Sequence, residues 1–240
     1  MRASIAEKSS AAGAGTVPCP NRSWGYRVWY AVARRVCQVF AVGLYQVRYS
    51  GRENIPPEGG VLVVANHQSH FDPPLVGMGC MREMNYLARE SLFAIRPLRW
   101  VINCFDAIPI KRDGLGLEGI KETLRRLKRG EMVLMFPEGA RTWDGQVGPF
   151  RPGFTTLALR SGACILPVGI EGAYQVWPRW RRFPDLVGRI HVHYGPVLLP
   201  EQIRTYAQHE RDLVEEVRNR VRACVAALRR HPNFAHLPPP

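Results

Sequence analysis

Short apolar runs alternate with amphipathic stretches along this chain, and their periodicities assign its elements. Val61-Leu62-Val63-Val64, Met132-Val133-Leu134-Met135-Phe136 and the stretch from Cys164 to Ile170 carry no charged or strongly polar side chain. Such runs predict strands buried on both faces of a sheet. Gln46 to Ser50 and Ile190 to Tyr194 alternate apolar and polar positions, which predicts strands with one wetter face, the second of them at a sheet edge. Asn85–Ala88 and Ala107–Ile110 read as two further short strands.

A period near 3.6 appears elsewhere. Leu117, Ile120, Leu124 and Leu127 recur at steps of three and four, with Lys121, Arg125, Lys128 and Arg129 off that stripe and Gly130 as the stop. Leu213, Val217, Val221, Cys224, Val225 and Leu228 mark one face of a long closing helix over 209–230. Helices are also expected over 92–104, with a break near Pro97, and from Pro152 through Leu159. Asp72 before Pro73-Pro74 predicts a helix start, with Asp as the cap and proline in the first turn. The pattern as a whole predicts an α/β fold: a mixed, mostly buried central sheet flanked by helices.

Residues 23–46 stand apart. Trp24, Tyr26, Val28, Trp29, Tyr30, Val32, Val36, Val39, Phe40, Val42, Leu44 and Tyr45 are interrupted by Arg27, Arg34 and Arg35. Rings at headgroup level with guanidinium groups on lipid phosphates suit an amphipathic helix at a membrane interface. A helix packed on its own domain has the same composition, and both readings stand. The chain divides into a flexible tail over 1–22, this helical segment over 23–46, one large domain over 47–231 and a Pro-rich tail over 232–240. No run of apolar residues is long enough for a classical membrane span, and the first twenty residues lack the apolar stretch of a cleaved leader.

The chain has 240 residues, a net charge of +13 and a sequence pI near 10.0. That balance points to an anionic partner: a membrane surface, a phosphorylated substrate or nucleic acid. No RNP-type aromatic motif, zinc-finger spacing or helix-turn-helix signature is present, so a basic nucleic-acid-binding module is the weaker reading and no nucleic-acid partner is expected. The six cysteines are scattered without a CxxC pair, which argues against zinc and for a reducing compartment.

Candidate chemistry follows the strands. Val61–Ala65 runs into Asn66-His67-Gln68-Ser69-His70-Phe71-Asp72. A carboxylate that holds one imidazole nitrogen leaves the other as a base toward a hydroxyl. Further on come Ile108-Pro109-Ile110-Lys111-Arg112, then Phe136-Pro137-Glu138-Gly139-Ala140-Arg141, then Ile165-Leu166-Pro167-Val168-Gly169-Ile170. Taken singly, Asp72 reads as a helix cap, Glu138 and Arg141 as a surface ion pair, and the last cluster as core. Taken together, a base with its carboxylate and two strand-end arginines make a site for a phosphate and a hydroxyl. No Gly-x-Ser-x-Gly elbow supplies a serine nucleophile.

In this order the clusters resemble the glycerolipid acyltransferases typified by lysophosphatidic acid acyltransferase, over roughly residues 47 to 200. The most specific parts are Asn66-His67-x4-Asp72 and Phe136-Pro137-Glu138-Gly139-x-Arg141. The resemblance implies acyl transfer from acyl-CoA or acyl carrier protein to the free hydroxyl of 1-acylglycerol 3-phosphate, forming phosphatidic acid, with no cofactor. It implies that His67 is the catalytic base and Asp72 its orienting carboxylate. Arg112 would take the acceptor phosphate, Glu138, Gly139 and Arg141 would bind the acceptor, and Pro167 would be a donor-side or structural residue. It implies peripheral or monotopic attachment to an anionic membrane at its cytoplasmic face. Two positions depart from the family pattern: Ala140 stands where Thr is common and Asp106 where Gly is common, which leaves other lysophospholipids or a lyso-ornithine lipid open as acceptors.

Three lesser features remain. His70 is expected to be structural or solvent-facing, and Arg89-Glu90 to approach the acceptor at best. Trp177-Pro178-Arg179-Trp180-Arg181-Arg182-Phe183 suits anionic lipid, an acidic carrier protein or a solvated loop. His191 and His193 share a strand face without a third ligand, and a metal site is not expected.

Overall fold

The computed structural model describes residues 23–89, 108–110 and 116–230. The tails over 1–22 and 232–240, the helix expected over 92–104, and Glu90, Asp106 and Arg112 lie outside the described residues. The strands are β1 (Arg48–Ser50), β2 (Val61–Ala65), β3 (Met84–Arg89), β4 (Ile108–Ile110), β5 (Met132–Met135), β6 (Cys164–Glu171) and β7 (His191–Tyr194). They form one seven-stranded sheet in the order β1-β7-β6-β2-β5-β3-β4. Neighbours are parallel except β6 and β7, so the sheet is mixed. The helices are α1 (Trp24–Tyr45), α2 (Asp72–Gly79), α3 (Gly116–Lys128), α4 (Gly153–Ser161), α5 (Ala173–Val176), α6 (Pro200–Arg204) and α7 (Glu210–Arg229).

β2 is apolar at every position because both of its faces are covered. Val61, Val63 and Ala65 point into a core with Ala41 of α1 and Leu75, Val76 and Met78 of α2. Leu62 and Val64 point the other way, onto Leu127 of α3, Phe154 and Leu157 of α4, and Leu213, Val217, Val221 and Val225 of α7. Each such side chain stabilises the fold by about 1.5–3 kcal/mol relative to leaving it in water. The predicted face of α7 is the buried one throughout.

α7 lies so close to β6 that Gly169 has no room for a side chain. A Cβ there would stand 2.7 Å from both the Cβ of Cys224 and the backbone nitrogen of Val225. Gly169→Ala should therefore push the helix off the sheet and cost about 1–3 kcal/mol, read as a lower midpoint of thermal unfolding.

Several expectations need correction. Ile190–Tyr194 is not an edge strand, since β1 pairs with β7 from Arg48↔His191 to Ser50↔His193. Alternation reports which faces are wet, and a three-residue partner strand leaves no mark on it. Of the predicted stripe of α3, Ile120, Leu124 and Leu127 do pack on the core, but Leu117 is exposed, and Gly119, Thr123 and Arg126 are buried beside them. Arg126 is drawn inward by Glu122 of its own helix and by the side chain of Asn85. Asp72 is not the cap of α2. Phe71 is the N-cap residue, and Asp72 turns its carboxylate back to the loop before it.

Candidate active site

β2 and β5 are parallel and in register, Val64 opposite Met135, so the segments that follow them emerge side by side. β6 lies on the other side of β2 and runs the same way. Chemistry in open α/β sheets sits beyond the carboxyl ends of strands, and here residues 66–72 and 136–142 meet at that end.

His67 and Asp72 are joined as the sequence spacing suggests. His67 Nδ1 lies 2.8 Å from Asp72 Oδ2. A carboxylate only accepts, so Nδ1 carries a proton, and in the neutral ring the lone pair then lies on Nε2. The same Oδ2 accepts from the backbone N–H of Gln68 at 2.6 Å and of Ser69 at 2.7 Å. Asp72 is 0% exposed, whereas the His67 side chain keeps 20% of its surface open. The buried acid is thus fixed by main chain, and the imidazole it orients reaches the surface of the cleft. The ring of Phe136 stacks on His67, with centroids 4.1 Å apart and planes 18° from parallel.

The backbone of His67 is held from the neighbouring segment. Its N–H donates to Glu138 Oε1 at 2.9 Å, and its carbonyl accepts from the N–H of Thr142 at 2.8 Å. Glu138 Oε2 accepts from the N–H of Gly148 at 3.4 Å. Both oxygens of Glu138 are therefore engaged by backbone. Burial, the largest cause, pushes this carboxyl up to about 7; the charges of Asp72 and Asp144 push the same way, while the two N–H donors oppose them. On the other side, Asn66 grips β6: its Nδ2 donates to the carbonyl of Ile170 at 2.9 Å and its Oδ1 accepts from the same residue's N–H at 2.8 Å. Gln68 Nε2 donates to the carbonyl of Gly145, and its Oε1 accepts from the N–H of Tyr174.

Gly139 has φ 74°, and a Cβ there would lie 3.0 Å from the guanidinium of Arg151. The positive φ favours glycine here, and a side chain would also press on the movable end of Arg151. Arg141 is half-buried close to His70, and its carbonyl accepts from Arg179 Nη1 at 3.2 Å. Desolvation first, then the charges of Arg141 and His67, press the imidazole of His70 down to about 4, which makes it a poor base near neutrality. Its ring packs against Trp177 at 4.8 Å between centroids.

Pro167 stands apart from this cleft. It is buried inside β6 opposite Val64, and its carbonyl accepts from the N–H of Gly195 at 2.8 Å. The fourth cluster thus lies within a strand and not beyond one, because β6 continues to Glu171. Arg112 lies outside the described residues, and Ile110 ends β4 on the same side of the sheet as Ala65. His193 Nδ1 is 2.9 Å from the hydroxyl of Ser50, and among the described residues no group of three His, Cys, Asp or Glu gathers as metal ligands. Sequence reasoning missed what Asn66, Gln68, Thr142 and Gly148 do. Of these, Asn66 alone carried a signal, its place at the head of the first motif.

Comparison with known proteins identifies the family. A family model described as Acyltransferase matches residues 46–171. A 1-acyl-sn-glycerol-3-phosphate acyltransferase of Pseudomonas aeruginosa is 32% identical over 179 residues, covering 72% of this chain and 66% of that protein. The chloroplastic 1-acyl-sn-glycerol-3-phosphate acyltransferase LPAT1 of Arabidopsis thaliana is 28% identical over 61% of this chain, and the match spans only 42% of that relative's length. The crystal structure of the 1-acyl-sn-glycerophosphate (LPA) acyltransferase PlsC from Thermotoga maritima superposes with a TM-score of 0.72 at 27% identity, covering 85% of this chain and 81% of that one. With its matched region running from β1 to the end of β6 and carrying the His67–Asp72 and Glu138 segments, this chain belongs to the acyltransferase family, in the group of lysophosphatidic acid acyltransferases.

Proposed function

We propose that this protein is an O-acyltransferase that moves a fatty acyl group from acyl-CoA or acyl carrier protein to the free hydroxyl of 1-acylglycerol 3-phosphate. The observation that carries the reading is the buried, backbone-anchored Asp72 holding Nδ1 of a surface-reaching His67. In this mechanism Nε2 of His67 takes the proton of the acceptor hydroxyl as its oxygen attacks the thioester carbonyl. The C–S bond then breaks, and the leaving thiolate takes the proton back from the imidazolium. Asp72 stabilises that imidazolium while it exists. No covalent acyl-enzyme and no cofactor are needed.

Arg112 and Arg141 supply the cationic side of the site for the acceptor phosphate. Arg112→Ala should raise KM for lysophosphatidate far more than KM for acyl-CoA, measured by steady-state kinetics with each substrate varied. An acceptor without phosphate would tolerate the change.

α1 extends the reading to the membrane. Val28, Val32, Val36, Phe40 and Leu44 recur every four residues and are all exposed, while Tyr30 and Ala41 are buried. The opposite side of the helix is tied to α2 by Arg34 and Gln38, which both donate to the carbonyl of Met78. An apolar stripe on a helix fastened by its other face suits peripheral attachment at a bilayer interface. Among the described residues no helix is long and apolar enough to cross a membrane.

The test is thiol release from palmitoyl-CoA against a panel of lysolipids. Release should depend on lysophosphatidate and be weak with lysophosphatidylcholine or lyso-ornithine lipid. Release indifferent to every acceptor removes the assignment, and release driven best by a phosphate-free acceptor moves it to another substrate.

A further inference from the structure

A second exposed apolar surface lies outside the site, in the loop between α5 and β7. Trp180, Phe183, Leu186 and Val187 all stand in solvent, Leu186 with 82% and Val187 with 70% of its surface open. Isolated exposed apolar residues are ordinary, but four large ones within eight positions are not. Arg181 and Arg182 stand between them, with Arg179 just before and Arg189 just beyond; Asp185 is the single acid of the loop, and Arg181 pairs with it at 2.6 Å. The loop therefore keeps a clear cationic excess.

Its placement ties it to both α1 and the cleft. The N–H of Gly188 donates to the carbonyl of Leu44 and that of Ile190 to Tyr45, so the loop is pinned to the C-terminal end of α1. At its other end, the guanidinium of Arg179 lies 4.2 Å over the ring of exposed Trp143 and donates to the carbonyl of Arg141. Tyr174 donates its hydroxyl to the carbonyl of Trp143 and packs edge-on against Trp180. Trp143 follows Thr142, whose N–H holds His67. A continuous chain of contacts thus runs from the apolar stripe of α1 through this loop to the rim of the His67 cleft.

We propose that residues 177–189 form a second lipid-contacting surface, which together with α1 seats the mouth of the cleft on an anionic bilayer. The chemistry favours lipid over an acidic carrier protein. Leu186, Val187 and Phe183 lie open to solvent, a surface that acyl chains cover and an acidic protein face does not. Tryptophan and arginine beside them match the headgroup layer. Seating the rim there gives a lysolipid acceptor a path from the bilayer to His67 that never crosses water. This last consequence rests on the function proposed above, whereas the contact itself does not.

The experiment uses the full chain, the double variants Phe183→Ser/Leu186→Ser and Arg181→Gln/Arg182→Gln, and two kinds of vesicle: phosphatidylcholine alone, and phosphatidylcholine mixed with phosphatidylglycerol. The apolar double variant should lower sedimentation with the mixed vesicles by about tenfold. The arginine variant should do so by about tenfold on the mixed vesicles and leave the neutral ones unchanged. Thermal midpoints should match the parent, because all four side chains are exposed. Acyl transfer to a short-chain, monomeric lysophosphatidate should stay at the parental rate, while transfer to long-chain acceptor in vesicles falls with binding. Parental vesicle binding by both variants overturns the proposal, and so does parental vesicle binding combined with a loss confined to acyl-carrier-protein donors. If the parent transfers acyl groups to no lysolipid, the proposed function fails while the sedimentation arms still decide the contact.

Discussion

His67→Ala is expected to lower kcat by about 10²–10⁴-fold with KM for both substrates nearly unchanged. Among the described residues the imidazole meets the fold through Asp72 and the stack on Phe136, so unfolding should shift little. Asp72 needs a gentler probe. Asp72→Ala would strand two buried backbone N–H groups, those of Gln68 and Ser69, at about 1–3 kcal/mol each, and loop collapse would then masquerade as lost chemistry. Asp72→Asn keeps one oxygen for those donors and removes the charge that steadies the imidazolium. It should fold and still lose about 10²-fold or more in kcat. Single-turnover thiol release with saturating acceptor, run beside thermal melts of each variant, checks both. Parental turnover by folded His67→Ala would leave the reaction without its base.

What sequence reading reaches here, and what escapes it, follows from physical causes. β2 was legible because burial on both faces demands an unbroken apolar run, and Val61–Ala65 has one. α7 was legible because a single face packs on the sheet. The His67–Asp72 contact was legible because both ends lie on one short loop, where spacing limits geometry. The grip of Asn66 on Ile170 and of Glu138 on His67 and Gly148 was not, since main-chain donors and acceptors are present at nearly every position and leave no compositional trace. The interior place of β7 escaped for the reason already given, whereas the buried strand from Cys164 to Ile170, with Pro167 inside it, was legible and only its last residue, the buried Glu171, was not.

Glu138 is where geometry and family expectation diverge most, and its variants should separate the two. Each carboxylate oxygen has two lone pairs, and in Glu138 each already accepts one backbone N–H, one of them that of His67 itself. That hold on the backbone is the contact its variants lose first. Glu138→Ala should then displace the base and lower kcat by about ten- to a hundredfold, equivalent to losing about 1–3 kcal/mol of buried hydrogen bonding, with KM for lysophosphatidate almost unmoved. Glu138→Gln keeps an acceptor for His67 and should stay within a few-fold of the parent; a matching rise in KM for both variants would mean that the carboxylate touches the acceptor after all. The pH dependence gives an independent reading. The carboxyl is raised from 4.5 to about 7, so the folded state favours its protonated form. Its contribution to stability is complete below pH 4.5 and is lost as pH rises through 7, at most about 3 kcal/mol. The melting midpoint of Glu138→Gln, which cannot ionise, should therefore gain on the parent between about pH 4.5 and pH 7 and level off above it. A difference that stays constant across that range would show that the carboxyl titrates in the fold as it does in water, and the burial that makes it a staple would have to be abandoned.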